Sequence, residues 1–378
     1  MIELLRRRNV EMLRRLERLR SAISTCSIPE LEPYRKRLCD FCDYITNHVL
    51  QNIADLDSGG QLLVEDVLSN TLSAARFTRL LSARLTAPIL RARPTDRLTL
   101  RILGWLHRQH PKTVKFPAAF TSGETGVLPM ASIMPIYSLP AFEQETLLFQ
   151  PLLFHEFGHL LYQCHAAEMD DLVSDLQQDL DQLLVPPSQR NDQHGEVQAA
   201  QRRVIVTRWH TWANEIFCDA VGLVVGGPSF LYAFSEHLST MGRGDFYRPH
   251  QDLCDAEHPV TWLRIHLLAS RARRLQWKDA ADQVDATWAE LAQAMEINED
   301  YHGFYDDRFR LSIDARVDEM LTEAAPRACS QQEAAGDTNS IVGVLNSAWR
   351  QFRTNTETYA AWETERVEAI LDRAECDL

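Results

Sequence analysis

Residues 152 to 162, LLFHEFGHLLY, set His155, Glu156 and His159 in an otherwise apolar run. On an α-helix the four-residue spacing stacks the two imidazoles on one face, with Glu156 about 100° away from His155 beside that face. Burying three such groups costs several kcal/mol unless charge and hydrogen bonds are matched. A divalent cation supplies the match: two neutral imidazoles bind it, a carboxylate from elsewhere completes the protein ligands, and one position stays open for water. The plainer reading makes the histidines core residues satisfied by main-chain carbonyls. With 13 histidines in the chain, about 0.03 chance matches to H-E-x-x-H are expected, so the surrounding sequence has to decide.

Two further stretches bear on the choice. In WANEIFCDAVG, Glu215 and Asp219 stand four residues apart among Trp212, Ile216, Phe217 and Val221. An acidic pair at that spacing is ordinarily a solvated face, but these neighbours are apolar. Glu215 can be the third metal ligand, and Asp219 can accept the free N–H of a ligand histidine and fix its tautomer. Then EHPVTWLR supplies His258 and Arg264. Taken alone it is a loop histidine before a proline that leads into a helix.

In this order the three stretches resemble the gluzincin metallopeptidases, most closely the branch of the CAAX prenyl endopeptidases and the bacterial heat-shock membrane proteases. That branch carries HExxH, then E-x-x-x-D on a later helix, then H-P-x-T-x-x-R, matched here by His155 to His159, by Glu215 to Asp219 and by His258 to Arg264. The resemblance covers about residues 113 to 266 and implies a role for each residue. His155, His159 and Glu215 bind Zn2+, Glu156 is the base, and Asp219 holds a ligand histidine without touching the metal. His258 faces the scissile carbonyl and Arg264 organises that side of the site. The expected activity is hydrolysis of a peptide bond by a metal-activated water, with Glu156 passing the proton to the leaving amine and His258 stabilising the oxyanion. Two departures are visible: PAAFT places Ala118 where the family has a substrate-binding asparagine on an edge strand, and the family's membrane helices are absent.

Three other readings use the same residues. A zinc-stabilised, non-catalytic adaptor needs His155, His159 and Glu215 but neither Glu156 nor the pair His258 and Arg264. A regulatory protein built on the flanking helices could hold a latent peptidase core. A separate metal centre in HQDLCDAEH offers His250, Cys254 and His258 at helical spacing, with Pro259 directly after and no fourth ligand evident.

The chain that must position these groups has 378 residues, 45% hydrophobic and 24% charged, enough for a globular fold with a sizeable core. A formal net charge of −14 argues against nucleic acid as a partner. A protein or peptide substrate is expected, and no particular oligomeric state is specified. The basic stretch LLRRRNVEMLRRLERLR and the residues just after it space Leu5, Met12, Leu16, Leu19 and Ile23 at steps of seven, four, three and four, a packed helix with a solvated arginine face and not a signal peptide. Eight cysteines without regular spacing suit a reducing, cytoplasmic setting, and Cys39 and Cys42 read as helix-packed thiols. The longest apolar stretch, IFCDAVGLVVGGPSFLYAF, contains Asp219 and a Gly-Gly-Pro break and reads as a buried helix with its exit turn, with no membrane span expected.

Periodicity divides the chain into a helical N-terminal subdomain over 1–97, a mixed segment over 98–275 and a helical C-terminal subdomain over 276–378, and the resemblance implies that the middle segment is a zincin-like catalytic core. The first contains a turn at DSGG. The core opens with β-forming segments around Pro117, Pro129 and Pro135. It continues with the HEFGH helix entered at Pro151, an acidic amphipathic helix over 166–184, an exposed loop at VPPSQRNDQHGE and a long helix over about 196–225. In the last subdomain the polar APRACSQQEAAGDTNS is expected to be mobile. The fold class is therefore α+β and predominantly helical, with a small β element and helical flanks, and the resemblance implies a zincin-like metallopeptidase core.

Overall fold

The structure, a computed structural model, describes residues 1–58, 64–128, 134–185, 195–240 and 246–373. Part of the DSGG turn, Pro129 and most of the VPPSQRNDQHGE loop lie outside the described residues.

Three helices begin the chain: α1 (Ile2–Ser24), α2 (Glu32–Asp57) and α3 (Val64–Leu80). On α1 the buried positions are Leu5, Asn9, Met12, Leu16 and Ile23, the apolar stripe of the sequence with Asn9 inserted and Leu19 partly buried against the core. Asn9 is satisfied across the helices, donating to Thr71 Oγ1 at 2.9 Å and accepting from Asn52 Nδ2 at 3.4 Å. Cys39 and Cys42 are free thiols on α2, and Cys42 donates to the Leu16 carbonyl. The C-x-x-C pair is therefore spent on helix packing.

After the short α4 (Ala87–Leu90) and α5 (Asp96–Arg108), three strands follow: β1 (Ala119–Ser122), β2 (Gly126–Leu128) and β3 (Ile136–Leu139). Their order is β1-β3-β2, with β1 and β3 parallel and β2 antiparallel to β3, Val127 opposite Tyr137. Pro135 stands immediately before β3, where its missing N–H takes no ladder bond away. Together with the helices this is a predominantly helical α+β chain.

Next come α6 (Leu152–Cys164), α7 (Ala166–Leu184), α8 (Gly195–Gly226) and α9 (Pro228–Ser239). Pro151 sits at the N-cap of α6. The α6 and α8 backbones approach closely because Gly158 lacks a side chain: a Cβ there would lie 2.8 Å from Cys218 Cα. The segment is completed by α10 (His250–Asp255) and α11 (Thr261–Arg274). Among the described residues, no helix is long and apolar enough to cross a membrane.

The chain closes with α12 (Lys278–Ala294), α13 (Arg310–Ala324), α14 (Gln331–Ala334), α15 (Ile341–Thr354) and α16 (Thr356–Asp372). The polar stretch between α13 and α15 is docked, contrary to its composition. Cys329 N donates to Val224 O at 2.7 Å, and Ser330 and Glu333 form a reciprocal cap on α14. Farther on, Glu363 accepts from Leu147 N at 2.7 Å and Trp349 donates to Leu148 O at 2.9 Å, so α15 and α16 hold the approach to α6. One hydrophobic cluster runs from Met12 to Ile370.

Candidate metal site

Helices α6, α8 and α11 bring His155, Glu156, His159, Glu215, Asp219 and Arg264 into one cluster, and the turn before α11 adds His258. The histidines follow one face of α6 as their spacing requires, with ring centroids 5.0 Å apart. Opposite them, Glu215 on α8 points both oxygens into the gap: His155 Nε2 lies 3.5 Å from Oε2, and His159 Nε2 lies 3.6 Å from Oε1. These separations are too long for hydrogen bonds. Three ligands about 2.0–2.1 Å from one tetrahedral zinc stand about 3.4 Å from one another, close to what is found. His155, His159 and Glu215 form a group that could hold a metal ion, with ligand atoms all within 4.8 Å. Glu215 Oε2 is buried, accepts no hydrogen bond of good geometry and has the Arg264 guanidinium 3.2 Å away.

Each histidine is turned to leave Nε2 for that gap. His155 Nδ1 is 2.9 Å from Asp219 Oδ1, close but bent away from a straight hydrogen bond. Its ring stacks on Phe234 at 5.7 Å. For His159 the partner is a thiol. Cys218 donates to Asn214 Oδ1 at 3.3 Å, leaving its sulfur, 3.3 Å from His159 Nδ1, to accept the ring N–H. Asn214 and Cys218 precede Glu215 and Asp219 by one residue each, a signal present in the sequence. Phe234 left no such sign.

Arg264 is buried against the two carboxylates of α8. Its guanidinium donates to Asp219 through Nε at 2.9 Å and Nη2 at 2.7 Å, lies 3.2 Å from Glu215 Oε2, and covers the Phe234 ring at 4.8 Å. The helix entered at Thr261 carries this side chain against both carboxylates, so Arg264 holds them in place. Side-chain exposure rises from 3% at Asp219 through 23% at His159 to 51% at His258, so the cluster opens towards His258, whose Nε2 is 3.6 Å from Glu215 Oε2. His258 thus stands with Glu215. In the rival centre, His250 Nδ1 and Cys254 Sγ are 4.0 Å apart, and Cys254 donates to the His250 carbonyl instead.

The strand assignment needs correction. Glu156 is buried on α6, which packs against β2, so β2 borders the site. Ala118 instead lines a cavity against α2 and α5. The segment around Ala118 is therefore not the strand beside Glu156, because β3 lies between β1 and β2.

The electrostatics follow from three carboxylates and one guanidinium in a buried space. Burial alone lowers the pKa of His155, but Asp219 and Glu215 outweigh it and raise the pKa to about 10. His159, desolvated and facing that cationic ring, falls to about 4. Burial opposes ionisation of Glu215, yet His155 and Arg264 hold it well below the usual carboxylate range. Glu156 is raised, chiefly by burial, and burial with nearby carboxylates keeps the Cys218 thiol neutral. Without a metal, a proton on His155 balances part of the acidic charge that a divalent cation would balance more fully.

No protein family, curated protein or solved structure matches the chain.

Proposed function

We propose that this protein is a zinc-dependent peptidase of the gluzincin type, acting on a protein or peptide substrate. The observation carrying this reading is the convergence of His155, His159 and Glu215 at metal-ligand separations, with Glu156 beside them and the opening at His258. The ordered resemblance of HEFGH, Glu215 to Asp219 and HPVTWLR supports the choice of zinc and of peptide hydrolysis.

Bound zinc would lower the pKa of a water towards neutrality and polarise the substrate carbonyl. Glu156, which holds no ligand position, takes the proton and delivers it to the leaving amine. Burial tunes it for that task by raising its pKa. His258, the most exposed of the group, donates to the developing oxyanion. Asp219 fixes the tautomer of His155, Cys218 does the same for His159, and Arg264 neutralises Asp219 and Glu215.

A purely structural zinc site gives no use to Glu156 or His258. The two readings separate on Glu156→Gln: the peptidase loses hydrolysis while keeping its zinc, whereas a structural site shows no hydrolysis in either protein.

A further inference from the structure

A second site is marked by the cavity that Ala118 lines, about 490 Å³ between α2, α5 and the segment leading into β1. Its size is that of a small-molecule site. Five cationic side chains converge on it from three elements: Lys36 and Arg37 from α2, Arg101 and Arg108 from α5, and Lys115 from the following segment. Two carboxylates oppose them, Glu30 and Asp40. Glu30 is already engaged, accepting from Arg97 at 3.1 Å and from Arg101 at 2.9 Å. Lys36, Arg37 and Lys115 have no carboxylate partner among the described residues, in a chain whose formal net charge is −14. Gathering like charges around one hollow is unfavourable unless something anionic enters.

The rest of the lining is mostly apolar, including Leu100, Phe116, Pro117 and Ala118, with the buried His107 among them. The hollow also coincides with a glycine in the middle of α5. Glycine is a poor residue inside a helix, and packing does not require Gly104: a Cβ there would meet only Arg108 Nη1, at 3.4 Å. Its missing side chain leaves room in the cavity.

We propose that this cavity binds a small phosphate monoester with an apolar or aromatic body, of about mononucleotide size. The phosphate dianion sits among Lys36, Arg37 and Lys115, and the ring lies over Gly104 against Leu100 and Phe116. Lysine and arginine together suit a dianion, as point charge and as fork.

The test is calorimetric titration of the full chain with AMP, phenyl phosphate, inorganic phosphate and adenosine. The expected result is saturable binding of AMP or phenyl phosphate with Kd below about 1 mM, weakening with salt, while adenosine and inorganic phosphate each bind about 10-fold or more weakly. Two independent changes should each lower that affinity about 10-fold or more: Lys36→Ala with Arg37→Ala removes charge from exposed positions, and Gly104→Leu fills the hollow while favouring the helix. Circular dichroism and thermal melting establish that both variants fold. The proposal is overturned if neither AMP nor phenyl phosphate saturates below about 1 mM, if both variants bind like wild type, or if adenosine or inorganic phosphate binds as tightly as the esters.

Discussion

His155 sits between Asp219 and Glu215 with its pKa raised to about 10, and this single proton sets how the site responds to pH. Its folded pKa lies above the ordinary value, so the proton stabilises the metal-free protein fully below about pH 6.5 and that contribution is lost as pH rises towards 10. A metal ligand must be deprotonated, so zinc has to displace this proton. Zinc binding at about pH 8 should therefore release about one proton per chain, and affinity should rise with pH up to about 10. Calorimetry in buffers of different ionisation enthalpy measures the release; none at that pH would contradict the account. For His258→Ala, zinc content should hold while turnover falls about 100-fold or more, measured by metal analysis and steady-state kinetics on one preparation. Arg264→Ala leaves Asp219 and Glu215 buried without their cation and should cost about 3–5 kcal/mol in denaturant unfolding. At this scale much of the cluster was legible, because H-E-x-x-H and E-x-x-x-D fix residues on helix faces by spacing alone. Phe234 was not, since packing against His155 depends on how α9 returns after Gly227, a glycine at φ 65° in a turn whose direction periodicity does not encode.

The packing of α6 on α8 brings the histidines to Glu215, and it rests on the space left by Gly158. Gly158→Ala drives a methyl to 2.8 Å from the Cys218 backbone, so the helices must move apart. The expected loss is about 1–3 kcal/mol, read from thermal or denaturant unfolding, together with weaker zinc affinity. A Gly158→Ala protein with unchanged stability and zinc affinity would mean that the close approach is not what sets the ligand geometry. The helices themselves were readable: the acidic pattern over 166–184 coincides with α7, and the 196–225 pattern differs from α8 by one residue at each end. The strands were harder. At three residues, β2 is too short to show alternation, so the sequence points to the segment around Ala118 instead of β2 as the strand beside the site. At APRACSQQ composition misleads for a different reason. Its polar side chains are consumed internally, by the Ser330 and Glu333 cap and the Arg327–Glu333 pair, and composition does not distinguish a satisfied polar group from a solvated one.

Across the molecule, the helical flanks bear on the site through the entrance to α6, where Glu363 and Trp349 bind the main chain at Leu147 and Leu148. These pairings join residues about two hundred apart, which no local pattern could reveal. Because the ligands come from separate segments, zinc should stabilise the folded chain as a whole: at free metal 100-fold above its Kd the gain is about 2.7 kcal/mol. Chelation should lower the melting temperature of wild type but not that of His155→Ala, which lacks a ligand. The central claim is that the metal at this site hydrolyses peptides. The direct measurement is mass-spectrometric comparison of new peptide termini generated from a proteome digest by wild type and by Glu156→Gln, each first shown by elemental analysis to carry zinc. The account predicts about one zinc per chain in both proteins and new termini from wild type alone. Equal zinc with no new termini from wild type, or the same termini from both, would contradict it.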